Sequence, residues 1–281
     1  METQNRDNWN PDYMATSPLF FPLRDITALL NHASAHWPTL EDYQNLLARL
    51  PNPPKSQGGN PIRFVHQATK TEHWTENYEP RIFLTGEVQT RQQNWHDFFQ
   101  VLIWAAFPQT KAILNAKHYD AIAQRLTSTP GNKQRSVLEN ALTQFDECGA
   151  ILVSSDTLLW QCIREFRWKS LFWRHRALVQ SQLRCFVFGH AIYEKALNPY
   201  LGMTAHAILL TVAQEFFDWP LQEQLDYVDS VTAASFRDNI YDSPKSFQPF
   251  PLLGMPGWDK NNNVESYYDN VNYFRSGRSK G

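Results

Sequence analysis

No apolar run in this chain is long enough to cross a bilayer as a helix. The longest, residues 101–107, falls far short of the ~20 residues a membrane helix needs. Residues 1–13 are polar, mixed in charge and without an apolar h-region, so no secretory signal is expected there. Neither sign of charge is in excess. Lys and Arg total 26 against 28 Asp and Glu, for a formal net charge of -2. A membrane surface is therefore not expected as a partner, nor is nucleic acid. Cysteine is scarce: Cys148, Cys162 and Cys185 are scattered, with no CxxC and no metal-ligand spacing. That usage suits buried thiols in a reducing compartment, and a cytoplasmic location is expected. GxGxxG, GxxxxGK[ST], HExxH and GxSxG are all missing, so neither a phosphate loop nor a serine nucleophile elbow has support.

What is abundant is aromatic surface. Among 281 residues there are 10 Trp, 11 Tyr and 18 Phe, enough for a sizeable core. The densest stretch is Asn94-Trp95-His96-Asp97-Phe98-Phe99, running on into Val101-Leu102-Ile103-Trp104-Ala105-Ala106. Trp95, Phe98, Phe99, Leu102, Ala105 and Ala106 recur at i, i+3, i+4, i+7, the stripe of a helix packed on a core. Three polar side chains sit inside that run. An imidazole and a carboxylate on a core helix cost free energy unless neighbours satisfy them.

Along the chain, residues 1–20 read as an irregular arm and 21–281 as one globular domain. A short helix is expected over 23–30. Thr39-Leu40-Glu41-Asp42 is a capping box with Asp in place of Glu, opening a helix that Pro51-Asn52-Pro53-Pro54 stops. Residues 62–66 and 78–84 read as strands, with Gly86 as a breaker. The central helix, 92–106, is ended by Pro108, and a second helix covers 110–126 with Asn115 and His118 on one side. Pro130-Gly131 reads as a turn. Helices are expected over 136–145 and, capped by Ser154-Ser155-Asp156, through 166, with a short buried strand over 150–153 between them. Residues 168–180 read as helical, and 183–197 as a second strongly apolar helix carrying His190 and Glu194 on one face. Residues 204–212 fit strand or helix, and 221–236 fit a helix. From about 243 the chain is rich in Pro and aromatics, a segment to be laid across the core. The fold class read from this pattern is α+β, predominantly α-helical: a single compact domain with a small sheet and an extended C-terminal segment.

The run Asn94-Trp95-His96-Asp97-Phe98-Phe99 resembles a bacterial family defined by a numbered domain of unknown function, 3025. Leu114-Asn115 with His118, Phe145-Asp146-Glu147, Ser154-Ser155, Phe188-Gly189-His190-Ala191 with Glu194-Lys195, Leu253-Gly254 with Pro256-Gly257-Trp258, and Phe274-Arg275 match it in order. The matches spread from about residue 80 to the C-terminus. The resemblance implies a cytoplasmic bacterial protein and brings no activity, substrate or catalytic residue.

The chemistry rests on the residues themselves. His96, Asp97, His118, His190 and Glu194 are the candidate site residues, with Asn115, His206, Asp146 and Glu147 as further polar groups on or beside apolar elements. Three readings are open. Imidazoles with carboxylates bind divalent metals, and His190/Glu194 at i, i+4 can present two ligands from one face. Without a metal, Asp97 or Glu194 would orient a histidine while His96, His118 or His190 moves the proton. Cys148 and Cys185 are nucleophile candidates without further support. Or the polar groups are core ties: Asp97 to Lys117 or Arg81, Glu194 to Lys195 or Arg184, and Asn94 as a helix cap. Residues 164–184 interleave arginines with Phe166, Trp168, Phe172 and Trp173, as a solvated helix face does with its aromatics turned inward. Gly189 suits close helix packing. Two functions follow. One is a hydrolase of a small molecule using a His/carboxylate pocket, with a divalent metal as its cofactor candidate. The other is a non-catalytic binding or scaffold protein. No residue pattern sets an oligomeric state.

Overall fold

The computed structural model describes residues 8–30, 36–67, 73–128 and 134–277. The Pro130-Gly131 turn lies outside them. Tyr13–Thr16 and Pro18–Leu23 are short 3-10 helices where an irregular arm was expected. Tyr13, Leu19 and Phe20 are buried, and the Tyr13 ring lies 5.4, 5.5 and 5.6 Å from those of Trp95, Phe98 and Phe99. Helix α1 spans Arg24–Leu29. Helix α2, Leu40–Ala48, opens on the capping box read from the sequence: the Asp42 amide donates to Thr39 Oγ1 and the Thr39 amide to Asp42 Oδ2.

Strand β1 is Arg63–His66. Residues expected as the next strand fold instead as helix α3, Tyr78–Thr85. Pro80 falls in its first turn, where a missing N–H leaves no bond unmade, and Gly86 closes it at φ 74 in the left-handed region. Strand β2, Glu87–Thr90, follows and pairs in parallel with β1. Helix α4, Trp95–Ala106, is the central helix. Pro108 does not merely stop it. It is the first residue of α5, Pro108–Ser128, the position where proline is preorganised for a helix. Asp229 caps α5 from across the fold, accepting from the Gln109 and Thr110 amides at 2.9 and 2.8 Å.

Helix α6, Val137–Cys148, leads straight into β3, Gly149–Ser154, which is buried along its whole length. Helix α7 is Thr157–Arg164, capped by Asp156. The expected helix over 168–180 is broken by a π-helical turn, Ser170–Arg174, before α8, Arg176–Gln182. The expected apolar helix over 183–197 is two elements. Leu183–Val187 is strand β4, and the helix proper, α9, is His190–Ala196. A continuous apolar run cannot distinguish the two periods; pairing with β3, from Ala150↔Val187 to Ser154↔Leu183, decides for strand. Strand β5 is Thr204–Thr211, α10 is Leu221–Arg237 and β6 is Gln248–Pro251.

The larger sheet has the order β4-β3-β5-β6: β3 runs parallel to β5, and both outer pairs are antiparallel. Pro249 and Pro251 are tolerated because β6 is an edge strand. The extended C-terminal segment is fastened to the core. Tyr273 Oη donates to the Met203 carbonyl at 2.7 Å, and Trp168 Nε1 to the Arg275 carbonyl at 2.8 Å. The fold class is α+β and mainly helical, as expected. Among the described residues no helix is long and apolar enough to cross a membrane.

Candidate functional site

Three helix ends meet where α9 packs against both α4 and α6. Asn94, extended at φ -129 and ψ 119, caps α4 by accepting from the Asp97 amide at 3.1 Å. That turn buries Trp95, Phe98 and Phe99 on one side and presents His96 on the other. His190 is the first residue of α9, and Glu194 stands one turn further on. Glu147 and Asp146 end α6. Gly189 allows the approach. A Cβ there would lie 2.4 Å from the Glu147 carbonyl oxygen and 2.6 Å from Cys148 Cα, so any side chain would force α9 off α6.

The resulting geometry is tight. His96 Nδ1 lies 3.0 Å from Glu194 Oε2, and His96 Nε2 lies 2.9 Å from His190 Nε2. Glu147 Oε2 is 3.9 Å from His96 Nε2 and 3.6 Å from His190 Nε2. Three atoms able to ligate a metal therefore converge from α4, α6 and α9. Behind His190, Nδ1 faces Asp146, whose Oδ2 lies 3.8 Å away and whose backbone also acts on the imidazole. Asp146 is held in turn by Lys111 of α5, Nζ to Oδ1 at 2.6 Å.

The electrostatics follow from that placement. Burial, opposed by the Asp146 charge, pushes the His190 imidazole down to about 3, so it is neutral at neutral pH. Burial also works against His96, but its hydrogen bond to Glu194 and the charge of Glu147 outweigh it, and the imidazole is held above its ordinary value. Burial raises the Glu147 carboxyl against the pull of His96. Desolvation works against Asp146 too, yet Lys111 keeps it below the usual carboxylate range.

This cluster lines an open pocket of about 640 Å³, within the size range of small-molecule sites. His96, Asp97, His118 and His190 all reach that pocket. Glu194 joins through its bond to His96. His118 contributes to the field at Asp146 and has no hydrogen-bond partner among the described residues. Asp97 lines the pocket but orients no histidine. Arg91 takes both its oxygens, Nη2 at 2.8 Å and Nε at 3.0 Å, and the Arg91 amide donates at 2.6 Å. The ties expected from Lys117 and Arg81 are made elsewhere, to Asn239 and Glu87. Glu194 likewise bonds neither Lys195 nor Arg184. Lys195 Nζ lies 3.8 Å from Cys148 Sγ, and Arg184 stacks on Phe217. Asn115 bonds Glu79. His206 is on β5, packed on Phe247 and outside the pocket. Burial pushes the Cys148 and Cys185 thiols up, away from the thiolate a nucleophile needs.

Glu147, Asp146 and Lys111 are the members of the site that the sequence reading left off its residue set. Phe145-Asp146-Glu147 carried a signal, two carboxylates at the junction of an apolar helix and an apolar strand. Lys111 carried none. No curated protein and no solved structure matches the chain. Residues 62–278 match a family described as proteins of unknown function, DUF3025, and thus extend the resemblance upstream to β1. With most of its length matched, the chain belongs to the DUF3025 family.

Proposed function

We propose that this chain is a cytoplasmic hydrolase of a small molecule that activates water at His96, Glu147 and His190. The observation that carries the reading is the convergence of those three side chains at 2.9–3.9 Å in one open pocket. Structural ties are usually saturated by their partners. Here Glu147 Oε2 stands 3.6 and 3.9 Å from the two imidazoles, beyond hydrogen-bond reach. A water at the three atoms loses a proton to the cluster and attacks the electrophilic centre of the substrate, and the leaving group departs with a proton. Glu194 orients His96, and Asp146 with Lys111 backs His190. Unpaired thiols at Cys148, Cys162 and Cys185 support the reducing compartment.

A binding or scaffold role is the second reading, and Asp97 favours it at its own position, where Arg91 bonds both carboxylate oxygens. Residues 164–184 would be its contact surface: Lys169 and Arg176 are engaged by the C-terminal segment, through Glu265, Asp269 and the Asn262 carbonyl, while Arg164, Arg167 and Arg174 are exposed. The hydrolase reading is tested with a panel of chromogenic carboxyl, phosphate and glycoside esters. His96→Gln and Glu147→Gln should each cost about 100-fold or more in kcat/KM while the thermal midpoint holds. Hydrolysis undiminished in both variants would overturn it.

A further inference from the structure

We propose that His96 Nε2, His190 Nε2 and one Glu147 carboxylate oxygen together hold a divalent transition-metal ion, zinc before others. The proposal deepens the hydrolase reading and rests on the same pocket. The separations of the three atoms, 2.9, 3.6 and 3.9 Å, define a triangle. A point in its plane equidistant from all three lies about 2.0 Å from each, which matches zinc–imidazole bonds of about 2.0–2.1 Å and zinc–carboxylate bonds of about 2.0–2.2 Å. Two imidazoles aimed at each other through their Nε2 atoms can share a single proton, but that proton does nothing for Glu147. A cation between them satisfies all three groups.

Two features behind the ligands fit the same ion. Metal-bound histidines usually turn their second nitrogen to a carboxylate or carbonyl, which fixes the tautomer and strengthens the donor. His96 Nδ1 has Glu194 at 3.0 Å, and Nδ1 of His190, a residue 2% exposed, faces the Asp146 carboxylate at 3.8 Å. Lys111 occupies Asp146 Oδ1, so that carboxylate backs the site without crowding it. Two imidazoles and one carboxylate suit zinc, iron or manganese. Calcium and magnesium need more oxygen ligands than three residues supply. Three protein ligands with the fourth position open to the pocket is the arrangement of catalytic zinc sites, and it gives the bound water a place beside the substrate.

The full-length protein, stripped with EDTA and titrated with zinc chloride by calorimetry, should take up one equivalent. His96→Gln, Glu147→Gln and His190→Gln should each abolish that equivalent, and Glu194→Gln should weaken it by about 10–100-fold. His206→Gln, outside the pocket, should leave it intact. X-ray absorption of the zinc-loaded wild type should show imidazole scattering and no sulfur, a readout that needs no variant to fold. No stoichiometric uptake, uptake that survives all three ligand changes, or a sulfur-containing shell would overturn the site. Stoichiometric zinc without turnover sinks the hydrolase reading alone. Turnover that a chelator leaves untouched sinks the metal alone.

Discussion

Replacing Lys111 by Met removes the ammonium facing Asp146 while keeping most of the side-chain volume beside Trp104, whose ring centre is 5.3 Å from Nζ. Lys111 is 4% exposed and its bond to Asp146 is 2.6 Å long. Breaking a buried pair from one side strands the other charge and costs ~3–5 kcal/mol. The Asp146 side chain is 15% exposed and borders the open pocket, so water relieves part of the penalty and the lower end, ~3 kcal/mol, is expected. With an unfolding entropy of ~2.1 cal/mol/K per residue over 281 residues, that corresponds to a fall in the thermal midpoint of about 5 °C. Adding Asp146→Leu removes the stranded charge. The double variant should return to within ~1 kcal/mol of wild type, because an apolar pair of similar size often replaces a buried ion pair at little cost. Urea unfolding followed by circular dichroism on all four members of the cycle gives the coupling directly. A Lys111→Met loss below ~1 kcal/mol, or a double variant as unstable as the two single losses added, would refute the account of this pair.

Two further outcomes follow from the scaffold around the site. Burial pushes the Asp229 carboxyl from its ordinary 3.8 up to about 6, against the two backbone amides it accepts. A raised folded-state value adds stability that is complete below 3.8 and lost as pH rises through about 6, some 3 kcal/mol for this shift. The stability difference between wild type and Asp229→Asn should therefore be largest near pH 4 and smaller by that amount near pH 7.5. A difference that grows with pH would show that the amide bonds outweigh burial. Asn94→Ala removes the α4 cap and should cost ~1 kcal/mol in the same urea experiment, and an unchanged midpoint would mean that the Asp97 amide finds another acceptor.

Elements whose cause lies within a few residues were legible. The capping box at Thr39 and Asp42, the Asn94 cap, the apolar stripe of α4 and the Asp156 cap all depend on neighbours in the chain, and each stands where the sequence put it. Strand β4 and helix α3 were not legible. Leu183–Val187 is apolar enough for either state until β3 offers a partner, and the apolar run Ile82-Phe83-Leu84 suits a strand but sits between a helix-starting Asn77 and a left-handed Gly86.

The site divides in the same way. The sequence alone marked His96, His190 and Glu194 as polar groups that an apolar setting must satisfy, since the desolvation cost is local to each residue. Only the tertiary structure chose their partners. It turned Asp97 to Arg91, brought Glu147 from the end of α6 through the gap left at Gly189, and set Lys111 behind Asp146. Whether three donor atoms enclose a space about 2 Å in radius depends on how α4, α6 and α9 pack, a distance between surfaces that no spacing along the chain encodes.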